Sequence, residues 1–295
     1  MMRNSLKHKP EQRGSETWSL LRLLRWMTDY FSEKGIDNPR LDAELLLAHT
    51  LKLDRVGLYL NYDRPLLAAE LDLIRPLVKR RGQREPLQYL LGSTEFWSLE
   101  FVVSPAVLIP RADTEVLVEE ALSRAGAEGQ LLDVGTGSGA IAISLATELS
   151  AWQMTGLDIC PQALDIAQKN VEKHQLDKRV QLLQGDLAEL PRQHYDLIVS
   201  NPPYISSQEW DSLMPEVRCF EPRLALLAEQ DGLDCYQKLV NQARSRLVSK
   251  GWLLVEIGYQ QSAAVRSLFA AAGFKDIFVR EDYSGQPRVV GGCLH

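Results

Sequence analysis

Apolar positions along this chain follow two rhythms. From residue 16 to 91 they recur every three or four residues, the period of a helix with one buried face. Trp18, Leu20, Leu21, Leu24, Met27 and Phe31 form one such stripe, opened by Ser15 or Thr17 and closed by Gly35. Asn38-Pro39 puts a cap and a proline at the next helix start, ahead of Leu41, Leu45, Leu46 and Leu51. Leu67, Leu71, Ile74 and Val78 predict a third helix over 65–81, and a short one is expected over 86–91.

Past residue 92 the period shortens. Glu95 to Val103 alternates and is rich in aromatics, Ser104-Pro105 interrupts it, and Val107-Leu108-Ile109 resumes. That pattern predicts a β-hairpin. Short apolar runs then alternate with helical stretches, giving strands near 131–134, 153–157, 180–183, 195–199 and 251–257 and helices near 114–125, 140–146, 161–174, 231–248 and 261–272. The series closes on two strands, near 277–280 and 288–290, joined by a Ser284-Gly285-Gln286-Pro287 turn. A βα series ending in a hairpin implies a mainly parallel sheet with one antiparallel strand. The expected organisation is a disordered tail over 1–15, a small helical bundle over 16–91, a hairpin linker over 92–110 and an α/β domain over 111–295.

Charge adds one asymmetry. The net charge is −6, but residues 1–90 carry 16 Lys+Arg against 12 Asp+Glu, a net of +4, and the rest 17 against 27, a net of −10. Nothing overall suggests wrapping nucleic acid or a membrane surface. Arg75, Lys79, Arg80, Arg81 and Arg84 form a basic run, read either as a solvated helix end or as a docking surface. The four cysteines are scattered without a C-x-x-C pair, which suits a reducing cytosol and argues against a disulfide framework or zinc site. No apolar run reaches the length of a membrane span.

Candidate chemistry gathers at the predicted strand ends. Ser200-Asn201-Pro202-Pro203-Tyr204 stops a strand with two prolines, which holds Asn201 extended at a carboxyl end, where open α/β sheets bind ligands. The Asn201 side-chain carbonyl and the Pro202 backbone carbonyl are two acceptors that match the hydrogens of a planar NH2 group, and Tyr204 can stack on that plane. A rigid turn with a capping Asn is the bland alternative. Gly135-Thr136-Gly137-Ser138-Gly139 links a strand to a helix start and would bring bare amides up to a ligand. Its alternate glycines differ from the dinucleotide spacing, and it lacks the Lys-Ser/Thr of a phosphate loop. Asp158 ends the second strand, placed for ribose hydroxyls or as a helix cap. Asp186 and Leu187 end the third, placed for an exocyclic amine and a base, or as an ordinary turn.

Together these residues resemble a known family. Glu95-Phe96-Trp97, Ile109-Pro110-Arg111-Ala112-Asp113-Thr114-Glu115, the Asp133 to Gly139 loop, Asn201-Pro202-Pro203-Tyr204-Ile205, Phe220-Glu221-Pro222 and Gly285-x-x-Arg288-Val289 are similar to the bacterial peptide chain release factor N5-glutamine methyltransferases. So is the Arg40-x-Asp42-Ala43-Glu44-x-Leu46-Leu47 helix. The resemblance implies a seven-stranded Rossmann-like class I methyltransferase domain behind a helical, substrate-recognising one. It implies S-adenosylmethionine as methyl donor, held by Gly135, Thr136, Gly137, Ser138 and Gly139, Asp158, Asp186, Leu187 and Asn201. It assigns catalysis to Asn201, Pro202 and Tyr204, and the glutamine clamp to Asn201, Pro202, Pro203 and Tyr204, with no metal. The implied partner is a release factor, methylated on the glutamine of its Gly-Gly-Gln loop by a monomeric cytoplasmic enzyme, with neither membrane nor nucleic acid as partner. A ribosomal-protein glutamine methyltransferase and a nucleic-acid adenine N6-methyltransferase stay open as alternatives, since a flipped adenine presents the same NH2.

Overall fold

The computed structural model describes residues 18–228 and 232–295. The chain divides into two compact units, Met1–Arg84 and Glu85–His295. The predicted tail over 1–15, the Ser15 or Thr17 helix start, and the first residue of the helix expected from 231 lie outside the described residues.

The first unit is helical, with α1 (Leu20–Glu33), α2 (Pro39–Leu51), α3 (Arg55–Leu60) and α4 (Ala68–Gly82). Ser19 caps α1, its hydroxyl accepting from the Arg22 amide at 3.3 Å. Leu20, Leu24, Met27 and Phe31 are buried, as the stripe predicted. Asp54, whose carboxylate accepts from the Gly57 amide at 2.6 Å, caps α3, a helix too short to show a period. The Arg40-to-Leu47 motif is structural. Asp42 pairs with Arg81 at 2.6 Å, and buried Glu44 accepts from Arg40 at 2.9 Å, Arg55 at 2.7 Å and Tyr59 at 3.1 Å. The basic run is accordingly not one solvated surface. Arg81 is buried against Asp42, Arg75 pairs with Asp72 at 2.7 Å, and Arg84 donates to the Gly35 carbonyl.

By its contacts α5 (Leu87–Leu91) groups with the second unit. β1 (Ser93–Phe96) and β2 (Leu99–Val102) form the hairpin, turning at Trp97 and Ser98, both with positive φ. Residues 107–109 are not a strand. Val107 and Ile109 are buried in a cluster with Tyr89, Ala163 and Ile166, and the Tyr89 hydroxyl donates to the Val107 carbonyl at 2.6 Å. Nor is the hairpin a free linker. Phe96 and Phe101 enter the core of this unit, the Trp97 amide donates to Glu115 at 2.8 Å, and its indole donates to Glu148 at 2.9 Å.

The remaining elements are α6 (Glu115–Arg124), β3 (Gly129–Val134), α7 (Ala140–Glu148), β4 (Trp152–Asp158), α8 (Pro161–Lys173), β5 (Val180–Gln184), β6 (Tyr195–Ser200), α9 (Pro215–Phe220), α10 (Asp234–Arg244), β7 (Leu247–Glu256), α11 (Ser262–Ala271), β8 (Lys275–Glu281) and β9 (Pro287–Cys293). They build a seven-stranded sheet in the order β5-β4-β3-β6-β7-β9-β8, parallel except for β9. Alternate residues along each strand supply opposite layers. Leu131, Leu197, Val199 and Leu254 join α6 and α7 on one face, while Leu132, Val134, Ile198, Leu253 and Val255 join α10 and α11 on the other. From β3 the chain crosses to β4 on one side and returns to β6 on the other. The loops after β3 and β6 diverge at this switch point, the position where such sheets hold ligands.

Candidate active site

A cavity of about 360 Å³ opens at that switch point, within the range of small-molecule sites. Its floor is made by the ends of β3 and β6. Val134 pairs with Ser200 in register, and the Ser200 hydroxyl donates to the Val134 carbonyl at 2.7 Å, so Gly135 and Asn201 emerge side by side. Gly135, Gly137, Asp158, Asp186, Leu187, Asn201, Pro202 and Pro203 all line the cavity. Motifs that lie far apart along the chain are therefore brought together by parallel pairing alone.

The glycine loop works differently from the sequence expectation. Gly135, Gly137 and Gly139 all have positive φ, the region where a Cβ is costly. Their amides are not bare. Gly135 and Thr136 both donate to the Leu157 carbonyl, at 2.8 and 3.0 Å, Gly137 donates to Asp158 at 2.8 Å, and Gly139 donates to the Thr136 carbonyl at 2.8 Å. The glycines serve a tight backbone path and leave a smooth wall at 135 and 137. Thr136, Ser138 and Gly139 do not line the cavity. Thr136 is buried and donates to Asp133 at 2.7 Å, the Ser138 carbonyl accepts from Asn170 at 2.9 Å, and Gly139 starts α7.

Asp158 accepts from the Gly137 amide on one oxygen and from the Cys160 amide, at 2.9 Å, on the other. The Ile159 amide acts on the same carboxylate, whose two oxygens offer about four acceptor positions in all. Burial raises its pKa against these backbone bonds. Asp186 accepts from the Ala188 amide at 2.8 Å, the turn chemistry foreseen as its alternative. Among the described residues, Asp158, Asp186 and Asp234 outnumber Lys238, the one cation lining the cavity, so it suits a ligand with positive charge.

Asn201 donates its side-chain NH2 to the Thr114 hydroxyl at 3.2 Å. The carbonyl oxygen of the same planar group is thereby directed away from Thr114. Tyr204 departs from its expected place. It does not line the cavity. Its ring lies near Gly258, and its hydroxyl approaches Glu256 at 3.5 Å. Burial, with the Glu256 charge second, pushes the phenol well above its ordinary pKa. The Tyr204 carbonyl accepts from Gln261 at 3.0 Å, which pins the end of the Asn201–Tyr204 strap.

Two walls have no sequence precedent as site residues. Ala106 to Leu108 form one, and Pro222, Leu224, Ala225, Leu227 and Ala228 form the other. Buried Glu221 holds both: it accepts from the Ile109 amide at 3.2 Å and pairs with Arg111. Arg111 and Glu221 sit within quoted motifs, but their pairing is a tertiary fact. Glu256 was also missed. It ends β7 and is 1 % exposed, its Oε2 lacks a hydrogen-bond partner among the described residues, and burial pushes its pKa up to about 7.

Comparison with known proteins agrees with this architecture. Residues 22–92 match the family described as PrmC N-terminal domain, and residues 110–216 match the methyltransferase small domain. The release factor glutamine methyltransferase of Geobacter sulfurreducens is 50% identical over 280 residues, covering 95% of this chain and 98% of that protein. The Escherichia coli K12 protein of the same name is 40% identical over 270 residues, covering 90% and 97%. Among solved structures, a methyltransferase from Pyrococcus furiosus shares the fold at a TM-score of 0.53 and 16% identity, over 73% of this chain and 98% of that one. On the identity and coverage of these relatives, the chain belongs to the release factor glutamine methyltransferase family.

Proposed function

We propose that this protein methylates the side-chain amide nitrogen of the glutamine in the Gly-Gly-Gln loop of a peptide chain release factor, with S-adenosylmethionine as donor. The observation that carries the reading is Asn201, fixed at the carboxyl end of β6 with its NH2 given to Thr114 and its oxygen left for a substrate. The cavity fits the donor. Asp158 has spare acceptor capacity for ribose hydroxyls, Asp186 and Leu187 stand beside it for the adenine, and Gly135 and Gly137 admit close approach. When bound, S-adenosylmethionine supplies a methyl group on a positively charged sulfur, which needs no metal to make it electrophilic.

The protein's task is then to orient a poor nucleophile. An amide nitrogen shares its lone pair with the carbonyl. Asn201 Oδ1 and the Pro202 carbonyl, accepting one hydrogen each, would hold the NH2 in place and favour its pyramidal form. Pro202 and Pro203 keep those acceptors rigid. Tyr204 would serve by packing the strap against the sheet, since its ring lies away from the cavity.

We further infer that the helical unit recognises the release factor. A groove lined by Trp18, Leu23, Trp26, Tyr30 and Ile74, with Lys79 beside it, gives it an exposed aromatic face. Trp26 is 46 % exposed and stacks on Tyr30 at 5.4 Å. Among the described residues no helix is long and apolar enough to cross a membrane. The free cysteines fit action in the cytosol, and we propose a monomer that takes no nucleic acid as substrate.

Asn201→Ala removes one acceptor and leaves the prolines and the sheet. Turnover on release factor is expected to fall by about 10²-fold or more, the scale of one transition-state contact. Isothermal titration with S-adenosylmethionine should give an affinity near that of the wild type. Full turnover by this variant would refute the clamp.

A further inference from the structure

We propose that Asp276, Cys293 and His295 form a zinc site that clips β8 to the end of β9. The site lies apart from methyl transfer. None of the three lines the cavity. β7 runs parallel to β6, so Glu256 marks its cavity end, and Cys293 pairs with Trp252, four residues before Glu256.

Cysteine spacing alone offers no such site, because the ligands are three residue types drawn from two neighbouring strands. Cys293 ends β9, and His295 follows two positions on. Residues two apart in an extended chain project to the same side. The link between them is fixed on both edges. The Leu294 amide donates to the Gly251 carbonyl at 2.9 Å, and the Leu294 carbonyl accepts from the Lys250 amide at 2.6 Å. Asp276 comes from β8. Lys275 pairs with Cys293, and the register then shifts before Phe278, which puts Asp276 in a bulge. Its φ of 49° is left-handed, a conformation uncommon outside glycine. Bulges re-aim side chains. Here the Asp276 carboxylate meets His295 Nε2 at 3.0 Å, beside the Cys293 sulfur.

The ligand atoms of the three residues all lie within 4.8 Å of one another. Zinc sits about 2.0–2.2 Å from imidazole nitrogen and carboxylate oxygen and about 2.3 Å from thiolate sulfur, which spaces tetrahedral ligands roughly 3.5 Å apart. Closing to that spacing takes side-chain movement of about 1 Å. Cys293 is buried and serves as the anchor, while Asp276 and His295 are exposed and free to adjust. Their exposure also gives the ion a way in and leaves a fourth position for water. Thiolate, imidazole and carboxylate together suit zinc, whereas magnesium and calcium take oxygen ligands. On binding, the Cys293 thiol releases its proton to solvent and its sulfur bonds to the metal, and His295 binds as neutral imidazole. Burial and then the Asp276 charge raise the free thiol, Lys250 acts the other way, and a coordinated dication deprotonates it outright.

The test uses the full chain stripped of metal by a chelator, with zinc alone and cobalt alone as probes. Competition with a chromophoric chelator should show a zinc ion bound to the wild type, and cobalt should give a thiolate-to-cobalt charge-transfer band in the near ultraviolet. Cys293→Ser should abolish the band, and Cys219→Ser, at an exposed free cysteine, should keep it. Asp276→Asn and His295→Ala alter exposed side chains and so leave folding intact. Each should weaken zinc by about 100-fold, the upper range for groups that merely orient ligands. Zinc should raise the Tm of the wild type and not that of Cys293→Ser. The proposal is overturned by a wild type without the cobalt band, by a band that persists in Cys293→Ser, or by zinc affinity unchanged in either Asp276→Asn or His295→Ala.

Discussion

At the scale of single residues, the carboxylates around the cavity do different work. Asp158 accepts backbone bonds on both of its oxygens while it lines the cavity. Asp158→Ala should weaken S-adenosylmethionine binding by about 1.5–3 kcal/mol, the worth of hydrogen bonds to a charged acceptor, and calorimetry that finds unchanged affinity would remove Asp158 from the donor site. Asp133 and Glu256 are wholly buried, and burial pushes both up to about 7. In the unfolded chain they ionise near 4. Between those values the folded state holds protons that the unfolded state has released, so stability falls as pH rises through this window and levels off above 7. Glu256→Gln removes one of the two groups. Denaturant unfolding at pH 5 and pH 8 should show its pH dependence smaller than the wild type's by about 3 kcal/mol. An identical pH dependence would mean that Glu256 is not held neutral by burial.

At the scale of elements, periodicity located most of the structure. The runs over 131–134, 153–157, 180–183 and 195–199 became β3 to β6 within a residue or two, because buried parallel strands read as continuous apolar stretches. Asn201, Asp158 and Gly137 were legible because strand ends carry the site in this topology. What escaped notice depended on contacts between distant segments. α3 is too short to display a period. Residues 107–109 are apolar because they are buried beside α5 and α8, and not because they pair in a sheet. Tyr204 is drawn to Glu256 and Gly258 by a strand 52 residues further on, and no local pattern could place it. The basic run misled for the same reason, since Arg81 belongs to an ion pair with Asp42. Arg81→Met takes that guanidinium from a buried carboxylate. It should destabilise the helical unit by about 3 kcal/mol or more, seen as earlier loss of helical circular dichroism on heating, and unchanged melting would show that the pair is dispensable.

At the scale of the whole molecule, the two units have separate compositions and separate tasks in this account. The first carries an aromatic groove, and the second carries every residue of the cavity. A chain lacking residues 1–84 should retain S-adenosylmethionine binding but methylate intact release factor at a small fraction of the full-length rate. Equal rates for a folded truncated chain would take recognition away from the helical unit.

The central claim, that Asn201 presents a release-factor glutamine for methylation, is tested most directly by mass spectrometry of release factor incubated with the enzyme and S-adenosylmethionine. The account predicts one added methyl, localised to the Gly-Gly-Gln glutamine, with wild-type enzyme and almost none with Asn201→Ala. Methyl addition at another residue, or equal addition by wild type and Asn201→Ala, would contradict it.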